Sequence, residues 1–135
     1  MVTNDELQNI ANFLDRRFGL DTLWLFGTEA AGTARPDSDL DLAALFRRRP
    51  AAIEILDARG ELAETFRRDI DLIDLDQASP ILGMQVLRHG RLLADCDPKR
   101  RYAFFSRTVS MYEDVKIGRR EAERMLFARV MGGRS

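Results

Sequence analysis

Two aspartates one residue apart, Asp39 and Asp41, open an apolar run shortly after a glycine–threonine pair, Gly27-Thr28. In an extended strand alternate side chains share a face, so these carboxylates stand side by side with Cα atoms roughly 6.6 Å apart. Leu40 and Leu42 then point the other way, into a core. Carboxylates so placed can converge on two magnesium ions about 3.5–4 Å apart, the arrangement that supports phosphoryl and nucleotidyl transfer. Magnesium takes oxygen ligands and completes its shell with water and substrate phosphates, so few protein carboxylates suffice. Upstream, residues 23–26 read as a strand ending at Gly27, where the missing Cβ lets backbone approach an anion closely. Thr28 opens a turn whose free N–H groups favour phosphate.

Acid-x-acid spacing alone says little in a chain with 22 acidic residues among 135. It recurs at Asp37/Asp39, Asp69/Asp71, Asp74/Asp76, Asp95/Asp97 and Glu121/Glu123, where solvated faces and turns account for it. Apolar neighbours on the opposite face and the glycine–hydroxyl turn upstream set Asp39/Asp41 apart. A third carboxylate has several claimants in the later acidic run. Alternation puts Asp69, Asp71, Ile73 and Leu75 on one face and Ile70, Leu72 and Asp74 on the other. Asp69 and Asp71 compete for the position, and Asp74 fits a strand-end cap.

Gly27-Thr28, Gly32, Arg35-Pro36-Asp37-Ser38 and Asp39-Leu40-Asp41-Leu42 together resemble the signature of the minimal nucleotidyltransferases of the DNA polymerase β-like superfamily. The usual pattern there is Gly-Ser, a spacer and Asp-x-Asp. Asp69 to Leu75, Ala78-Ser79-Pro80 and Leu87 to Leu93 are similar to the segments downstream of that signature in the family. The layout is most like the MntA-type antitoxins, which pair with HEPN-domain toxins. The resemblance implies a small mixed β-sheet packed with helices, an α/β (α+β) fold of polymerase-β type. It implies Asp39, Asp41 and Asp71 as catalytic metal ligands for two Mg2+ ions, with Gly27 and Thr28 on the nucleotide. It further implies transfer of AMP from ATP to a tyrosine hydroxyl of a cognate HEPN ribonuclease toxin, and hence a hetero-oligomer with that toxin. The chain departs from the pattern at Thr28, where serine is usual, and at Glu29, where a basic or small residue is usual. Those two positions favour the alternative of an antitoxin acting by contact alone. A small-molecule nucleotidyltransferase is the other alternative, disfavoured because no second domain is evident to form an acceptor pocket.

The composition frames this reading. Hydrophobic residues make up 45% and charged residues 32%, ordinary for a soluble domain with a genuine core. No apolar run approaches the ~18 residues of a membrane span, and the first residues lack a leader's basic and apolar regions. One cysteine, Cys96, permits no internal disulfide, and without a Cys/His cluster zinc is excluded. The expected location is the cytoplasm. A net charge of −1 argues against general nucleic-acid binding. The charge is uneven, though: residues 98–135 carry 10 basic and 4 acidic side chains, and residues 1–97 carry 11 and 18. We therefore read 1–97 as the nucleotidyltransferase core. Residues 98–135 read as a C-terminal helix of the same domain that offers a wet face or a docking element.

The elements that must position the acids emerge from local signals. Thr3 and Glu6 form a capping box for a helix with Leu7, Ile10, Ala11, Leu14 and Phe18 on one stripe, ended by Gly19. Strands are expected at 22–26, near 39–45, at 69–75 and at 91–94. Pro50 opens a helix to about Arg68, with Ile55, Leu62 and Phe66 inward. Ser79-Pro80 starts a helix ending at Gly90, with serine capping and proline in the first turn. Asp97-Pro98 begins a long helix to about Val130, on which Tyr102, Phe105, Val109 and Tyr112 recur at helical spacing. Trp24 reads as core, and His89 as a cation at a helix C-terminus.

Overall fold

The computed structural model of the chain describes residues 2–27, Gly32 and residues 39–132. Helix α1 (Asn4–Phe18) begins with the expected capping box: the Glu6 amide donates to Thr3 Oγ1 at 3.1 Å, and the Thr3 amide donates to Glu6 Oε1 at 3.2 Å. Its stripe of Leu7, Ile10, Ala11, Leu14 and Phe18 is buried. Gly19 ends it at φ 70°, a conformation that favours glycine. Strand β1 (Leu20–Phe26) comes at once, then β2 (Leu40–Phe46) and helix α2 (Ala52–Phe66). Strand β3 (Ile70–Asp74) runs into a 3-10 turn (Leu75–Gln77), helix α3 (Pro80–His89), strand β4 (Arg91–Asp95) and helix α4 (Pro98–Gly132).

Among the described residues four strands form one sheet in the order β3-β2-β1-β4. The β1/β2 and β1/β4 pairs are antiparallel, while β2 and β3 are parallel. A parallel pair requires a crossover, and α2 supplies it. Strand alternation divides the apolar residues between two faces. Leu23, Leu25, Leu42, Ala44 and Leu72 meet α1 and α2 on one side. Trp24, Ala43, Leu45 and Leu75 meet Val86 of α3 and Phe104 of α4 on the other. Each fully buried leucine contributes about 1.5–3 kcal/mol of transfer free energy. Among the described residues no helix is long and apolar enough to cross a membrane.

The inward face of the long helix differs from the expected one. Tyr102 and Phe105 are 61% and 50% exposed, whereas Phe104 and Thr108, one turn apart, are the buried pair. Apolar residues occupy several faces of α4, so spacing alone could not identify the inward one. Its first turn is fastened by a polar clasp instead. Arg100 Nε donates to the buried Asp21 at 2.8 Å, and Arg100 Nη2 donates to the Phe46 carbonyl at 3.1 Å. Asp76 accepts from both Arg100 and Arg107. Among the described residues of this helix none beyond Thr108 is buried.

Candidate active site

The sheet register assembles the acidic residues. Asp41 of β2 lies opposite Phe26 of β1 and alongside Asp71 of β3. Directly paired residues share a face, so two carboxylates from different strands stand together. Asp39 sits one step before β2 and is exposed. The Asp41 carboxyl is pushed above the usual carboxylate range, first by burial and then by the negative charges of Asp71 and Asp39. Asp69 precedes β3, and its carbonyl accepts from the Leu40 amide at 2.9 Å, tying the starts of the two strands together. Asp74 caps the adjoining turn, accepting from the Asp76 amide at 3.1 Å.

Gly27 ends β1 against Asp41. Its φ is 74°, and a Cβ built there would run into the Asp41 carboxylate. Only glycine suits both demands, so this turn is held against Asp41. Thr28, Glu29 and residues 35–38 fall outside the described residues. A feature the local pattern could not reveal is Arg59 of α2. Its Nη2 lies 3.3 Å from Asp71 Oδ1, and its Nε donates to the Ile70 carbonyl at 3.3 Å. A groove of about 370 Å³ opens between α2 and the start of β3, beside Asp39 and Asp71.

Residues 8–99 match the family described as Polymerase beta, Nucleotidyltransferase. The chain belongs to this nucleotidyltransferase family. It is 35% identical over 106 residues to the protein adenylyltransferase MntA of Shewanella oneidensis, covering 74% of this chain and 71% of that protein. It is also similar to solved structures. One, a toxin–antitoxin with AMP-PNP, shares 27% identity at a TM-score of 0.78, covering 94% of this chain and 100% of that one. Another holds a tri-AMPylated Shewanella oneidensis HEPN toxin in complex with an MNT antitoxin. Its matching chain has 25% identity and a TM-score of 0.76, with 93% of this chain and 100% of that chain covered. Coverage on this scale takes in most of α4, so the long helix belongs to the shared fold.

The nucleotidyltransferase offers an all-oxygen donor set, which suits magnesium and not the softer metals. Among the described residues no three His, Cys, Asp or Glu groups are already drawn into a cage. Asp71 pairs with Arg59. Asp71 remains 43% exposed and therefore reachable.

Proposed function

We propose that this nucleotidyltransferase is an antitoxin that transfers AMP from ATP to a tyrosine hydroxyl of a cognate HEPN ribonuclease toxin and so disarms it. The observation that carries the reading is the pairing of Asp41 with Asp71 across β2 and β3, with Asp39 and the Gly27 turn beside them. The similarity to a protein adenylyltransferase supports the choice of AMP as the group moved. In the reaction the acceptor oxygen attacks the α-phosphorus of ATP. An O–P bond forms, the bond from that phosphorus to the bridging oxygen breaks, and pyrophosphate leaves with the electron pair. Asp71 takes up the hydroxyl proton, while Gly27 and Thr28 receive the β- and γ-phosphates. Asp39 and Asp41 would hold two magnesium ions and Asp71 one of them, which would neutralise charge on the phosphates and lower the acceptor's pKa. An ATP-dependent activity and a free, exposed Cys96 suit the cytoplasm.

Two labelled substrates test the reaction class. With the HEPN partner, magnesium and ATP labelled at the α-phosphate, label should pass to the toxin. Label from the γ-phosphate should not. The reverse pattern would mean phosphoryl transfer and would defeat the proposal.

Thr28 has its own test. If its hydroxyl meets a charged phosphate, Thr28→Val should weaken magnesium–ATP binding by roughly 1 kcal/mol or more, while Thr28→Ser keeps it. Equal affinities for all three proteins by calorimetry would remove Thr28 from the site.

We propose that the far half of α4 docks the toxin. Met125, Leu126, Phe127, Val130 and Met131 are all more than half exposed there, next to Arg119, Arg120 and Arg124. Such a mixture of apolar and basic side chains fits a partner face with acidic groups. Reversing the three arginines to glutamate should slow association at low salt at least tenfold. The melting temperature should hardly move, since exposed changes usually cost under about 0.5 kcal/mol. Association at the wild-type rate would return the helix to a structural role.

A further inference from the structure

The geometry points to the groove between α2 and β3 as the seat of the acceptor, receiving the segment of the toxin that carries the hydroxyl side chain. This rests on the functional reading above and adds where on this chain the acceptor lies. In-line transfer requires the attacking oxygen and the departing pyrophosphate on opposite sides of the phosphorus. The sheet order β3-β2-β1-β4 sets up those two sides. Gly27 at the end of β1 lies on one flank of the β2 carboxylates, and β3 with its groove lies on the other. The donor phosphates occupy the first flank, so the acceptor enters by the second.

The groove has the walls such a segment needs. It holds about 370 Å³ and is lined by Asp39, Leu56, Arg59, Gly60, Ala63 and Asp71, among others. Two of the three acids of the site thus form one end of it. Leu56 is 59% exposed and supplies an apolar wall. Arg59 steadies Asp71 at 3.3 Å, fixing the proton-accepting carboxylate where the groove meets the site. Gly60 lies inside α2, where glycine weakens a helix, and no packing among the described residues calls for it: a Cβ there would meet none of them within 4 Å. Its small size keeps the groove open.

That glycine provides the test. Gly60→Ala and Gly60→Leu both favour the helix, so each variant should melt at or above the wild-type temperature. Loss of function then cannot be assigned to unfolding. With the HEPN toxin and magnesium–ATP, transfer to the toxin should fall with side-chain size, at least tenfold for Gly60→Leu. ATP affinity measured by calorimetry should stay within twofold of wild type. A Gly60→Leu protein that modifies the toxin as fast as wild type would overturn the groove assignment alone. A parallel loss of ATP affinity would overturn it too, giving the groove to the nucleotide. A wild-type chain that leaves the toxin unmodified overturns the functional reading, and the acceptor seat with it.

Discussion

Asp41→Asn should abolish transfer to the toxin, by on the order of a thousandfold or more, while leaving a folded protein. Asparagine keeps the size of the side chain and removes the charge that would neutralise a metal ion. The same holds for Asp39→Asn. The apo protein should even gain stability. Burial, then Asp71 and Asp39, raise the Asp41 carboxyl in the folded state above its unfolded value. A carboxyl raised in this way costs nothing below its unfolded value, and it opposes folding increasingly as pH rises from there through its folded value. At neutral pH, without magnesium, the wild type carries this strain and the asparagine variant does not. The melting temperature of Asp41→Asn should therefore equal or exceed that of wild type at pH 7. The two should converge in acid. Transfer within tenfold of wild type would remove Asp41 from the chemistry.

Arg100→Ala should cost stability instead, by about 3 kcal/mol. Breaking one side of a buried ion pair typically costs about 3–5 kcal/mol, because the partner charge is left buried. The low end applies since the Arg100 side chain is 31% exposed and water can partly replace it. Asp21, with 5% of its side chain exposed, is the group left stranded. Burial alone would raise the Asp76 carboxyl, but hydrogen bonds from Arg100 and Arg107 outweigh it and hold it below the usual range. Its stabilisation is thus complete above the ordinary carboxylate pKa and is lost as pH falls through the lowered folded value. Denaturant titrations of wild type and Arg100→Ala at pH 7 and pH 3 check both statements. The gap between the proteins should be wide at pH 7 and narrower at pH 3. Equal unfolding midpoints in denaturant at pH 7 would show that the clasp contributes nothing.

The parts of this molecule that depend on near neighbours were legible in the sequence. Thr3 and Glu6 cap α1, Ser79-Pro80 starts α3, and the alternation of Asp39, Leu40, Asp41 and Leu42 declares a strand with one acidic face. Each uses contacts a few residues apart, so spacing is enough. The choice between Asp69 and Asp71 was open because it depends on register between strands; the parallel pairing sets Asp71 beside Asp41. Arg59 looked like any helix-surface arginine, and its meeting with Asp71 arises only when α2 crosses back over the sheet. Asp21 and Arg100 are 79 residues apart, with no local pattern to join them. On α4 the aromatic residues face several ways, and Phe104 with Thr108, not Tyr102 with Phe105, turns inward.

The intact mass of the HEPN toxin, taken after incubation with ATP, magnesium and this chain, tests the central claim most directly. With wild-type protein the toxin should gain mass in whole adenylyl units, which fragmentation should place on a tyrosine, and with Asp41→Asn it should gain none. A toxin of unchanged mass that is nonetheless inhibited by the wild-type chain would contradict that claim, as would equal modification by the two proteins.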